Sequence, residues 1–390
     1  MKILYLTKYT RMAGSSRMRS FQYFPYLEKE GLKITAKPFF DDDYLKDFYA
    51  GKKNLGSVLK SYLRRFFVLF SVLKYDKVVI EKEIFPFLPA FAEWILSILN
   101  VRYISDYDDA IFHNYDQSSN PVIKKILGNK IAKVMKYSGT VVAGNQYLAD
   151  YAGKAGAAHI EIIPTVIDIE RYALKAEIPA LSTNRILDTD SPQNEEGADI
   201  SPFRAGEKIS VPSSAVPVIG QKFVIGWIGT KTTFEKHLLP CKEWIKELQN
   251  RDSDIHFHIV GITEEMDLGQ NVKYIRWTED TEVSEILKMD VGIMPLQDSE
   301  WEKGKCAYKL IQYAACGIPG VASDVGMNSE VCIENKTGFI SDTWDDWIEK
   351  ILFLKNNQAE RSQMGNEARK LVEKTFCIQV TANRWIKILN

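Results

Sequence analysis

Lysines and carboxylates at the ends of apolar runs are where this sequence offers chemistry. Val291 to Met294 is a short apolar run that stops at Pro295, and a polar loop leads from it to Lys305. From there Ala307, Leu310, Ile311 and Ala314 recur at spacings of three and four, the mark of one buried helix face. Lys305, Lys309 and Gln312 then share the other face. Gly317 and Pro319 stop the helix, and Val321 to Ser323 resumes as a strand. A strand–loop–helix–strand unit belongs to a parallel sheet, whose ligands sit beyond the carboxyl ends of the strands. A helix amino terminus there favours an anion, and two ammonium groups strengthen the preference. The chemistry indicated is the binding of a phosphate-bearing ligand.

Three other clusters have the same character. Asp106, Asp108 and Asp109 follow a strand expected over Val101 to Ser105. Carboxylates grouped there suit a divalent cation or sugar hydroxyls; a turn capping the next helix is the plainer alternative. Lys2 to Thr7 leads into KYTRMAGSSRMRS, where Gly14 lets the backbone approach a ligand closely. Arg11, Arg17 and Arg19 carry the planar donor fork that grips phosphate or pyrophosphate, unless they only decorate the start of a helix over 16–30. Phe223 to Ile228 leads into GTKTTFEKH. Here Gly229 and Thr230 leave room for a diphosphate, and Lys231 or Lys236 supplies charge. Asn145 is placed to cap the helix from Gln146, and could also touch a sugar. His256 and His258 alternate on a strand without a third ligand, which does not make a metal site.

The elements that must hold these groups form two domains. A chain of 390 residues has length for two cores. Strands and helices alternate in 1–180 and again in 222–377. Between them, 181–221 loses periodicity and is rich in Pro, Ser, Asp, Glu and Gly, as a linker or disordered insertion is. A last helix is expected over 378–389. A net charge of −1 argues against nucleic acid as a partner. Five cysteines without paired or metal-ligand spacing suit a reducing compartment. MKILYLTKY reads as a first strand rather than a signal peptide, and no apolar run is long enough to span a bilayer. Neither GxGxxG nor GxxxxGK[ST] follows a candidate first strand, which argues against dehydrogenases and nucleoside triphosphatases. Residues 57–74 are the most amphipathic stretch. Lys60, Arg64, Arg65, Ser71 and Lys74 lie opposite Val58, Leu59, Leu63, Phe66, Phe67, Phe70 and Leu73. Such a helix either lies in a membrane interface or packs on the sheet. Residues 84–99 read as a core helix entered through a proline turn.

PL at Pro295–Leu296, GKC at Gly304–Cys306, KLIQYAACGIP at Lys309–Pro319 and VASDVG at Val321–Gly326 resemble the donor-binding segment of glycosyltransferase family 4. The resemblance implies a GT-B fold, two α/β Rossmann-like domains facing across a cleft, with residues 378–390 packing back on the first. It implies a retaining enzyme that takes sugar from a nucleotide-sugar donor in the second domain to a glycan or lipid-linked acceptor in the first. No metal cofactor is expected, because such enzymes neutralise the leaving diphosphate with basic side chains and helix ends. Lys236 and Lys309 take that part here, with Lys305 beside them. Asp109, then Asp108, falls where relatives contact the reacting sugar, and Trp277, read as the end of a strand over 274–277, falls where they flank the base. Where the family has two glutamates framing this loop and helix, the chain has Gly304 and Gln312; Gln312 can still bond a ribose hydroxyl. Gly14, Arg17, Arg19 and Asn145 would face the acceptor. Family habit implies cell-envelope polysaccharide synthesis, in the cytoplasm or on the inner membrane face. The alternatives are a non-catalytic homologue that binds sugar nucleotide or a partner, favoured by Gly304 and Gln312, and a sugar-nucleotide 2-epimerase.

Overall fold

The computed structural model describes residues 1–52, 54–172 and 222–390. The expected linker 181–221 lies outside them. Within these residues the strands form two six-stranded, wholly parallel sheets. The first contains β1 (Lys2–Leu6), β2 (Lys33–Ala36), β3 (Lys77–Glu81), β4 (Ile104–Tyr107), β5 (Thr140–Ala143) and β6 (Ile160–Ile162), in the order β2-β1-β3-β4-β5-β6. The second contains β7 (Phe223–Ile228), β8 (Ile255–Val260), β9 (Val272–Ile275), β10 (Val291–Met294), β11 (Gly320–Ala322) and β12 (Gly338–Ile340), in the order β12-β11-β10-β7-β8-β9. Strands β4 and β10 are buried along their whole length, as strands covered by helices on both faces are.

Each sheet has one place where the order reverses. The chain leaves β1 toward β2 and returns to pair β3 on the other side; likewise it leaves β7 toward β8 and returns at β10. Loops diverge there and leave a crevice at the carboxyl ends. The carboxy-terminal helix Ile378–Leu389 lies on the first domain. Its Ile378, Trp385 and Leu389 share a core with Ile3, Tyr5 and Val79, and the Tyr23 and Thr381 hydroxyls meet at 2.9 Å.

Three local expectations are corrected. The helix over 16–30 is broken into Gly14–Arg19, a 3₁₀ turn Phe21–Tyr23 and Phe24–Lys29. Pro25 lacks an N–H and fits only a first turn, so a new helix has to start there. Trp277 lies two residues past β9, not at its end. Phe91–Ile98 is no core helix: it buries Ala92, Glu93 and Leu96 and leaves Phe91, Trp94, Ile95 and Ile98 exposed. The helix Leu55–Leu69 buries Ser61 and Arg65, its polar side. Arg65 donates to the carbonyls of Thr7 at 2.7 Å and Lys37 at 3.1 Å, one residue past the carboxyl ends of β1 and β2.

Candidate active site

At the first switch point, three strand ends bring charge together. Lys82 follows β3 with a left-handed backbone, φ 68°, a strained state for a residue with a side chain. Its ammonium lies 2.9 Å from Asp108 and 3.6 Å from Asp109, beyond β4, and donates to the Ser15 hydroxyl at 3.1 Å. Ser15 in turn donates to Asp108 at 2.8 Å. Glu81 accepts from the Ser16 hydroxyl at 2.8 Å and the Lys8 amide at 3.2 Å. Burial would raise the Asp108 carboxyl, but Lys82, then Arg19, hold it down to about 2. Asp109 is pushed up by burial and by the Asp108 charge, and its carboxylate is the more exposed of the two. Glu81 is pushed up to about 7 by burial, against the pull of Lys82. One carboxylate therefore keeps its charge while its neighbour is eased toward neutrality, a division that suits contact with sugar hydroxyls.

At the second switch point the sign is reversed. The chain leaves β7 through Gly229 and the Thr230–Thr233 capping box, then makes a π-helical turn Phe234–Leu238 bearing Lys236 and His237. Beyond β10, the helix Glu300–Lys303 carries a buried Glu302. Glu302 accepts from Lys236 at 2.7 Å, lies 3.3 Å from His237, and also accepts from Ser299. Burial lowers the His237 imidazole to about 4, against Glu302 and with Lys305, Lys236 and Lys309 adding positive charge around it. Lys309, in the first turn of Tyr308–Ala315, is brought down to about 7 by burial and by Lys305. Its ammonium sits 5.2 Å from the centre of the Trp227 ring. Three lysines with one carboxylate among them form a site short of negative charge.

The two halves meet. Asp109 feels the charge of Lys305 from the other domain. Asn145 caps its helix at Leu148 and donates its amide to the carbonyls of Lys303 at 3.2 Å and Lys305 at 3.0 Å. The Cys306 thiol donates to the Asp108 carbonyl. A Cβ at Gly304 would stand 2.5 Å from the Ala110 Cβ and 2.6 Å from its amide nitrogen. The approach of the domains is what leaves no room for a glutamate at 304.

Other expected site residues are distributed as follows. Arg17 is buried, ion-paired with Glu279 at 3.4 Å, and stacked over Trp277 with its guanidinium 5.4 Å from the ring centre. Trp277 donates to Glu282 at 2.7 Å. Gly14 opens the first helix with free space where a Cβ would stand. Gly229 is hemmed in by Trp227 and Thr233, at 2.5 and 2.8 Å from a Cβ, so packing already requires a glycine. Lys231 is exposed and paired with Glu264. Arg19 does not reach the cleft: it is buried, paired with Asp106 and donating to the Ile163 carbonyl. Gln312 is buried rather than on the outer helix face, and donates to the Tyr172 hydroxyl at 3.2 Å. Ser15, Glu81, Lys82, His237 and Glu302 were not singled out from sequence. The run VVIEKE at the end of β3 carried the same signal as the aspartates after β4: charge directly after a buried strand.

Residues 231–371 match the family described as glycosyl transferases group 1. The second domain is a group 1 glycosyl transferase domain. Around it, solved structures share the whole two-domain GT-B architecture of this glycosyltransferase. Sucrose-phosphate synthase from Thermosynechococcus elongatus is 10% identical with a TM-score of 0.64, covering 100% of this chain and 98% of that one. HepE from Anabaena, solved with UDP and glucose, is 13% identical with a TM-score of 0.62, covering 99% and 98%. A glycosyltransferase from Rickettsia africae ESF-5 is 13% identical with a TM-score of 0.64, covering 100% and 97%. No curated protein sequence matches the chain. Among the described residues no helix is long and apolar enough to cross a membrane, and no group of three or more acidic, cysteine or histidine side chains is arranged to hold a metal ion.

Proposed function

We propose that this glycosyltransferase moves a sugar, with retention, from a nucleoside-diphosphate donor to a glycan or lipid-linked acceptor, without a metal, in building a cell-envelope polysaccharide. The observation that carries the proposal is the lysine site short of negative charge, Lys236, Lys305 and Lys309, facing the Asp108–Asp109 pair across the cleft. The donor diphosphate lies against the three ammonium groups and the amino terminus of Tyr308–Ala315. The sugar then sits beside Asp109, whose raised carboxyl can donate to or accept from a sugar hydroxyl. The bond from the anomeric carbon to the phosphate oxygen breaks as the lysines take up the charge growing on the diphosphate. The acceptor oxygen bonds the anomeric carbon on the same face, and its proton passes to the departing phosphate oxygen. No protein base is needed for that step. HepE, of the same fold, was solved with UDP and glucose, which suits a donor of this kind. A peripheral contact between 57–74 and the inner face of the cytoplasmic membrane would present a lipid-linked acceptor.

The test is thermal stabilisation by a panel of nucleoside diphosphates and nucleotide sugars, in magnesium and in EDTA. A ligand at a hundred times its dissociation constant should add about 2.7 kcal/mol. One nucleotide should act, equally in both media, and NMR of the product should show the donor's anomeric configuration retained. Stabilisation by no nucleotide would favour a homologue that only binds a partner.

A further inference from the structure

Two helices of the first domain are mounted with their apolar sides outward. In Leu55–Leu69 and the turn after it, Leu63, Phe67 and Phe70 are 53, 67 and 71% exposed. In Phe91–Ile98, Phe91, Trp94 and Ile98 are 43, 50 and 62% exposed. Neither helix can be turned over to hide these side chains. Ser61 and Arg65 are buried on the inner side of the first, and in the second Glu93 is buried and accepts from the Ile84 amide at 2.8 Å. Phe85 joins the two: its ring stacks on Tyr62 at 6.0 Å and on Phe91 at 5.8 Å. An exposed apolar area of this extent on a folded domain marks a surface that something covers.

We infer, resting on the membrane contact proposed above, that both helices together are a docking surface for an anionic lipid bilayer, and that this surface ends at the mouth of the acceptor site. Its charge selects the occupant. Residues 55–75 contain Lys60, Arg64, Arg65 and Lys74 and no Asp or Glu, and 84–105 contain only the buried Glu93. Lys60 and Lys74 are exposed and have no ion-pair partner among the described residues. Exposed lysines on helices whose one carboxylate is the buried Glu93, beside phenylalanine, leucine and a half-exposed tryptophan, match acyl chains below and phosphate headgroups above. Asp41, which caps the neighbouring helix, is paired with Arg64 rather than with either lysine. The surface also adjoins the chemistry. The loop that enters it starts at Lys82, and Tyr115, which accepts from the Phe87 amide at 3.2 Å, donates to Glu83 directly after Lys82. An acceptor anchored in the bilayer would need to rise only a short way to reach Asp109.

The experiment is co-sedimentation of the full chain with vesicles of phosphatidylcholine, with and without phosphatidylglycerol. Binding should need phosphatidylglycerol. The pairs Phe67→Ser with Phe70→Ser, and Trp94→Ser with Ile98→Ser, should each lower partitioning by roughly tenfold or more. Because these side chains are exposed, the variants should fold and keep the nucleotide-induced thermal shift. Lys60→Gln with Lys74→Gln should remove the salt-sensitive part of binding. Quenching of tryptophan emission by brominated lipid should be lost in Trp94→Phe. Absence of pelleting would overturn the inference, as would wild-type pelleting of the Trp94/Ile98 pair. So would a dimer in light scattering, broken by the Phe67/Phe70 pair, in a protein that binds no vesicle, since the face would then belong to a second copy. Vesicle binding without any nucleotide shift would sink the transferase function and leave the membrane surface standing; the reverse result would do the opposite.

Discussion

Changing Lys309 to arginine should remove the pH dependence of nucleotide binding before it removes binding. Burial and the neighbouring Lys305 bring Lys309 down to about 7. A diphosphate beside it would relieve both effects and return it toward about 10.4. The protonated lysine is the binding form, and its pKa is lower in the empty site than in the filled one, so binding takes up a proton. At pH 8 about one empty site in ten is protonated, and uptake should be roughly 0.9 of a proton; at pH 6 it should fall to roughly 0.1. Affinity should accordingly be flat near pH 6 and fall by about tenfold per unit above pH 7. His237 lies down at about 4, so its own uptake is confined to acid pH and cannot imitate this behaviour at pH 8. Titration calorimetry at pH 8 in two buffers of different ionisation enthalpy measures the uptake directly. Lys309→Arg should bind with none, because a guanidinium stays charged throughout. Lys309→Met should bind more weakly at every pH, also with none. Full uptake persisting in Lys309→Met would refute the assignment of the proton, and with it the argument that this lysine is held poised for an anion.

Three further outcomes follow from the packing. Lys82→Met leaves Asp108 and Asp109 without their counter-charge and should cost about 3 kcal/mol or more at pH 7. Asp108 is depressed in the folded state, so its contribution is present above its unfolded pKa of about 3.9 and is lost as pH falls through about 2. The gap between wild type and variant in urea denaturation should narrow in acid, and a gap below about 1 kcal/mol at pH 7 would count against the pair. Gly304→Glu, which restores the family's residue, must push Ala110 away and should lower stability by about 1–3 kcal/mol and weaken donor binding; an unchanged Tm would mean the domains do not meet there. Trp385→Ala removes a fully buried ring between the carboxy-terminal helix and the first sheet and should cost about 3–5 kcal/mol, read as a fall in Tm that a free helix would not give.

Much of the site was legible because a parallel sheet places ligands by topology. Once Val291–Met294 and Phe223–Ile228 are strands, the residues directly after them must line a crevice, and Lys236, Lys305 and Lys309 lie there with no tertiary information needed. The aspartates after β4 follow by the same rule. Fold class and the group 1 motifs around Lys309 were likewise carried by local pattern, since apolar period and loop length are properties of neighbours in the chain.

What only the tertiary structure decided depended on distant partners. Ser15, Lys82 and Asp108 are 67 and 26 residues apart in sequence, and no spacing rule connects a loop after β1 with the ends of β3 and β4. Gln312 has an outward helical spacing, yet Tyr172 from the other domain covers it. The glycine at 304 looked like a lost glutamate until Ala110 stood against it. The helix Leu55–Leu69 is the plainest case. Its sequence fixes two opposed faces but is blind to which one turns inward. That was settled by the carbonyls of Thr7 and Lys37, which face a donor that Arg65 could supply and a phenylalanine could not.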